Sequence, residues 1–157
     1  MLDAALRARV VAWRDDDPDE TTVAQTDALV TRAEAGDADA ITALTSAFGA
    51  FLEFGTAGLR GEIGPGPSRM NRAVVSRAAA GLAAYLRANS GRRAVVGYDA
   101  RHHSIDFAVD TCEILQAAGI DAHLLPTTLP TPLLAFAVRA LGFDAGVMVT
   151  ASHNPPQ

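Results

Sequence analysis

Residues 93–125 read RAVVGYDARHHSIDFAVDTCEILQAAGIDAHLL, and the fold follows from this stretch. Arg93 to Tyr98 holds the short apolar run AVVGY, the pattern of a buried strand. From Ser104 to Ala118 the period changes to that of an amphipathic helix, with Ala108, Cys112 and Leu115 on one side, and Gly119 stands where a helix C-cap belongs. Ala122 to Leu125 then reads as a second short strand. The alternation continues on both sides. Upstream, Asn71 to Asn89 is a helix with Val75, Ala79, Leu82 and Leu86 on one face, ended by Gly91. Downstream, Pro126 to Pro132 is a Thr/Pro-rich turn, Leu133 to Leu141 a helix with Leu134, Val138 and Leu141 on one side, and Asp144 to Thr150 a final strand. Strands alternating with helices predict an α/β fold: a three-layer α/β/α domain with a mixed, largely parallel sheet.

Before this domain the pattern is helical throughout residues 1–50. Leu2, Leu6, Val10 and Trp13 recur at helical spacing until Asp17-Pro18. Thr22 and Gln25 have capping-box spacing for a second helix. Gly36 and Asp37 pair a C-cap with a new N-cap, and Ile41, Leu44 and Phe48 carry a third helix toward Phe51. Its apolar stripes need a partner surface, so residues 1–50 are expected to be a helical arm packed on the domain that follows, 51–157. Residues 54–69, FGTAGLRGEIGPGPSR, are dense in Gly and Pro and read as a loop or tight hairpin, with a short strand at Leu59 to Ile63.

Composition narrows the function. The 157 residues carry a net charge of −5, which argues against non-specific nucleic-acid binding. All 13 basic residues are arginines, so chemistry that needs a lysine cannot be completed within this chain. Cys112 is the single cysteine, set in a helical pattern, and reads as a buried inert thiol. No stretch approaches the roughly 20 apolar residues of a membrane span, and MLDAALRARV lacks the apolar core of a signal peptide. A cytoplasmic protein with no membrane partner is the expectation.

In open α/β sheets, ligands gather at the carboxyl ends of strands. Two such ends stand out, Tyr98-Asp99-Ala100-Arg101 and Thr150-Ala151-Ser152-His153-Asn154-Pro155. Ser152 follows a buried strand directly, in a turn bounded by Pro155 and Pro156. Its neighbour His153 brings an imidazole, which titrates near neutrality and can pass a proton. Turn formation accounts for Ser152 and Asn154 equally well on local pattern alone. A serine-hydrolase reading lacks the GxSxG elbow, and adjacent Ser and His side chains do not give a triad's geometry.

The wider string separates these readings. TASHNP at 150–155 resembles the active-site serine signature of the α-D-phosphohexomutases. FGTAGLRG at 54–61 resembles the N-terminal signature of the same superfamily, and GYDAR at 97–101 the strand end between them. The arm, with Trp13, Asp17-Pro18 and Leu52-Glu53, looks most like the phosphoglucomutase-2/phosphopentomutase branch. The resemblance covers nearly the whole chain and implies its first domain.

The resemblance implies an intramolecular phosphotransferase that interconverts sugar 1-phosphate and 6-phosphate, or pentose 1- and 5-phosphate, through a bisphosphate. Ser152 would be the phosphoserine, and His153 a proton carrier or an orienting neighbour. Arg60 would be a fixed cation for the phosphoryl group, since a guanidinium forks onto phosphate oxygens and stays charged. Gly55, Gly58 and Gly61 would let its loop turn sharply. Mg²⁺ is the implied cofactor, with Ser152 contributing through its phosphate and the other ligands coming from an aspartate loop in a later domain. A sugar bisphosphate is the implied activator. Partners would be the phosphosugar and the remaining mutase domains. The alternative expectation is a catalytically incomplete fragment that only binds an anion or a partner, with self-association through faces that later domains would cover. Arg101, His102 and His103 follow a strand end and either border the cleft, cap the next helix or lie in solvent.

Overall fold

Asp3 sets the first helix. Its carboxylate accepts the Leu6 N–H at 3.1 Å, and α1 runs over Ala4–Asp16. The computed structural model describes residues 2–151, which divide into two compact units, one up to Val74 and one from Val75 onward.

In the first unit, α2 spans Glu20–Glu34 and α3 spans Ala38–Phe48. The N-cap of α2 is Asp19, which accepts from the Thr21 N–H at 2.9 Å, so the expected Thr22 capping box does not form. Thr22 is buried instead and donates its hydroxyl to Asp17 at 2.8 Å and to the Asp19 carbonyl at 3.0 Å. A carboxylate at the positive end of a helix is the stronger cap. The predicted junction at Gly36-Asp37 holds: Gly36 adopts φ 91°, and Asp37 accepts from the N–H groups of Asp39 and Ala40. Leu6, Val10, Trp13, Ala33, Ala40, Leu44, Ala47 and Phe48 form one core, so the apolar stripes of the arm close largely on one another.

Past α3 the chain forms a small antiparallel hairpin, β1 (Phe54–Gly55) with β2 (Gly58–Leu59). Phe51 does not join the core and is 72% exposed. The strand expected over 59–63 reduces to β2, with Ile63 making an isolated bridge to Met70. A loop from Gly64 to Arg69 then folds back on α3. The Leu52 N–H donates to the Pro67 carbonyl at 2.8 Å and the Ser68 N–H to the Ala47 carbonyl at 3.0 Å. Buried Asn71 stitches the loop, donating to the carbonyls of Gly64 and Gly66 at 2.8 Å and accepting from the Val74 N–H at 2.9 Å. Gly66 is required there. It sits at φ 98°, and a Cβ would lie 2.7 Å from the Ala47 carbonyl oxygen.

The unit boundary falls inside α4 (Arg72–Ala88). The second unit continues with β3 (Arg93–Tyr98), α5 (Ser104–Ala117), β4 (Asp121–Leu124), α6 (Thr131–Ala140) and β5 (Ala145–Val149). The three strands are ordered β4-β3-β5 and are all parallel, with Val96 opposite Leu124 on one side and Val147 on the other. Side chains alternate across the sheet. Ala94 and Val96 share a core with Ala83 and Leu86 of α4 and with Ala108, Cys112 and Leu115 of α5. On the opposite face, Gly97 and Gly146 leave room for Leu134 of α6. The result is the expected three-layer α/β/α arrangement. Cys112 is buried as anticipated, and burial, with the nearby Glu113 charge, pushes its thiol up. Among the described residues no helix is long and apolar enough to cross a membrane.

Candidate active site

The carboxyl ends of β3 and β5 lie side by side, because Tyr98 is in register with Val149. The ladder extends one bond further, from the Asp99 N–H to the Val149 carbonyl at 3.1 Å. Beyond that point the Asp99 side chain takes over. Its Oδ1 accepts the Ser104 hydroxyl at 2.6 Å and the Arg101 N–H at 3.1 Å, and its Oδ2 accepts the Ala151 N–H at 3.3 Å. The Thr150 side chain also hydrogen-bonds this carboxylate. The Arg101 guanidinium stands 3.7 Å from Oδ2 as a counter-charge. Burial by itself would raise the Asp99 carboxyl. The Ser104 hydroxyl, the Arg101 N–H, the Thr150 side chain and the Ala151 N–H outweigh it and hold the group below its ordinary value.

Four donors match the roughly four lone-pair sites of a carboxylate. Asp99 therefore accepts on both oxygens, which suits it to fixing geometry. Sequence reasoning quoted GYDAR but passed over its aspartate. The available signal was an Asp directly after a buried parallel strand, at the end where ligands collect.

His103 occupies the N-cap position of α5 with φ 63° and makes no side-chain cap bond; its Nδ1 lies 3.4 Å from Asp106. His102 is exposed. Arg60 follows β2 in the first unit and is exposed, with no hydrogen bond or ion pair among the described residues. Of the glycines around it, only Gly58 has a positive φ, at 92°. Gly61 serves by being small, because a Cβ there would come within 3.0 Å of Leu52. Ser152 and His153 lie outside the described residues. Among the described residues, no group of three or more His, Cys, Asp or Glu side chains could hold a metal ion. The described residues therefore offer the implied Mg²⁺ no ligand set of their own.

Comparison with known proteins decides the family. Residues 51–157 match the family described as phosphoglucomutase/phosphomannomutase, alpha/beta/alpha domain I. The chain belongs to this family. Among relatives of this phosphohexomutase domain, the "probable phosphomannomutase" of Haemophilus influenzae is 55% identical over 89 residues, covering 56% of this chain and 18% of that protein. The phosphoglucomutase of Staphylococcus haemolyticus is 44% identical over 120 residues, covering 76% of this chain and 22% of that protein. A crystal structure of a "putative phosphomannomutase" from Thermus thermophilus superposes with a TM-score of 0.64 at 41% identity, over 69% of this chain and 24% of that one. The phosphohexomutase domain thus spans about a fifth of the length of the curated relatives it matches.

Proposed function

We propose that this chain is the phosphoserine domain of a phosphosugar mutase, with residues 1–50 an arm ahead of domain I at 51–157. Ser152 carries the phosphoryl group. In the first half-reaction the Ser152 Oγ–P bond breaks as a bond forms between phosphorus and a free hydroxyl oxygen of the sugar phosphate, giving a bisphosphate. In the second, Ser152 Oγ takes the phosphoryl group from the other end of the sugar. In the first half the proton lost by the sugar hydroxyl passes to Ser152 Oγ as its bond to phosphorus breaks, and in the second Ser152 gives a proton up to the newly freed sugar oxygen, with His153 the carrier in both. The net exchange is between sugar 1-phosphate and 6-phosphate, or pentose 1- and 5-phosphate; the arm's likeness to the phosphoglucomutase-2/phosphopentomutase branch favours glucose or pentose.

Charge governs this chemistry. A phosphoserine bears about −1.5 to −2 charges near neutral pH, and an anionic sugar phosphate must approach it. Phosphoryl transfer depends mainly on positioning and charge stabilisation. Arg60 supplies a permanent, forked cation for phosphate oxygens. A divalent metal would add Lewis-acid screening, held mostly by residues of further domains. Metabolism of carbohydrate in the cytoplasm is the setting this reading implies.

The observation that carries the proposal is the string TASHNP in a chain matched as domain I, its first two residues anchored by Asp99 at the carboxyl end of β5. In a complete mutase carrying these residues, Ser152→Ala is expected to lower turnover by roughly 10³-fold or more, as removal of a covalent carrier does. Normal turnover in that variant would overturn the reading. Residues 1–157 alone, assayed with glucose 1-phosphate, Mg²⁺ and glucose 1,6-bisphosphate, are expected to show none.

A further inference from the structure

We propose that Asp99 is a positioning residue for the serine loop: its carboxylate carries the β3–β5 ladder past the last strand residues and fixes the peptide that leads into Ser152. The role rests on Ser152 being the phosphoryl carrier, but the clamp itself does not.

Strand pairing ends at Tyr98 and Val149, with one further backbone bond from Asp99 to Val149. A side chain reaches further than the ladder, and the Asp99 carboxylate collects both Thr150 and Ala151. Its other oxygen is anchored on Ser104, the first residue of α5, which is 5% exposed, and on the Arg101 N–H. Position is thus transmitted from the α5–β3 core to Ala151, one peptide bond from Ser152.

The residue type follows from the same geometry. Both oxygens face donors, so the group must accept on both sides. Asparagine has the same size but offers one acceptor; its NH₂ would meet either the Ala151 N–H or the Arg101 N–H, neither of which can accept. Glutamate is one methylene too long for a link already closed at 2.6 Å to Ser104. Phosphoryl transfer gains from such an anchor, because a displacement of about 1 Å can cost on the order of 10²-fold in rate.

The test uses amide hydrogen exchange on the full 157-residue chain and steady-state kinetics on a complete mutase that carries it. Asp99→Asn is expected to speed exchange at the Ala151 amide at least about tenfold while leaving Val96 in the strand core unchanged, as local opening does. Should that variant fail to fold, Ser104→Ala is expected to speed Ala151 exchange through loss of the anchor, and Ser104→Thr, which keeps the hydroxyl, to restore it. In the mutase the same substitutions are expected to reduce kcat roughly 10–100-fold with KM within about threefold, the mark of misplacement rather than lost binding. Unchanged Ala151 exchange in Asp99→Asn, or in Ser104→Ala, overturns the clamp whatever the kinetics. Faster exchange with unaltered kcat overturns the positioning role. Turnover that survives Ser152→Ala overturns the phosphoserine reading and leaves the exchange result standing.

Discussion

Asp144 and Asp99 lace the same pair of strands from opposite ends. Asp144 precedes β5 and accepts the N–H groups of Arg92 and Arg93, at the start of β3, at 2.7 and 2.9 Å. Asp99 follows β3 and accepts the N–H of Ala151, just past the end of β5. What differs is what lies beyond each knot. Around Asp144 everything loops back into the fold: Arg93 donates to the carbonyls of Leu141 and Gly142, pairs with Asp121 at 3.3 Å, and lies 4.5 Å over the Phe143 ring. Around Asp99 one strand runs out toward Ser152. One chemical device, a carboxylate that accepts backbone N–H groups across the end of a strand pair, stabilises at one end of a parallel sheet and positions at the other. The ends are inequivalent because ligands gather at carboxyl ends.

The contrast can be broken in several ways. Leu115 lies in the core shared by both ends and is fully buried, so Leu115→Ala is expected to cost about 3 kcal/mol in urea unfolding. Amides at both ends should then open together; opening at Ala151 alone would mean that the two ends do not share one core. Asp144→Ala should lower the unfolding midpoint yet leave Ala151 exchange untouched, and faster exchange there would dissolve the distinction drawn above.

Acid should act on the same knot. The Arg92 and Arg93 N–H groups hold the Asp144 carboxyl below its ordinary 3.8. Because the folded value is depressed, this stabilisation is complete above about pH 3.8 and disappears as pH falls through the lower folded value. Melting temperature should therefore drop below that pH, and Asp144→Asn should flatten the drop. The smallest effect on stability is expected at Arg60, exposed in the other unit. Arg60→Ala should stay within about 0.5 kcal/mol of the parent in unfolding. In a mutase it should lower turnover roughly 10²-fold, as loss of a fixed charge-stabilising donor does.

Much of this architecture was legible in the amino-acid order. RAVVGY is the observed β3 residue for residue, since a β-branched run between a glycine and an aspartate leaves little else to form. The helix before it and the two that follow fall within two residues of their expected ends, and Ala79, Leu86, Ala108, Cys112, Leu115 and Leu134 are buried as their spacing predicts; Leu141, expected on the face of Leu134, lies just past α6 and is exposed. Thr22 misled because spacing alone does not rank a hydroxyl against a nearby carboxylate, and Asp19 is the better cap. The strand expected at 59–63 shrank because a strand needs a partner, and β1 offers two residues. Asp99 escaped notice for a different reason. Its donors stand 2, 5, 51 and 52 positions away, and the last two exist only once β3 and β5 are side by side. Ser152 and Arg60 were singled out by motif, not by any periodic signal.

Gly146 carries a consequence for how such a domain tolerates change. A Cβ at that position would sit 2.6 Å from Cγ2 of Val138, so even alanine would require Val138 of α6 or β5 itself to move. A shift of β5, which ends at Val149, would reach the peptide that precedes Ser152. On the proposed reading, alanine at this glycine would mimic damage to the phosphoryl carrier while every reacting atom remained chemically intact. Compensation should come from the helix, by trimming Val138, and not from anything near the phosphate.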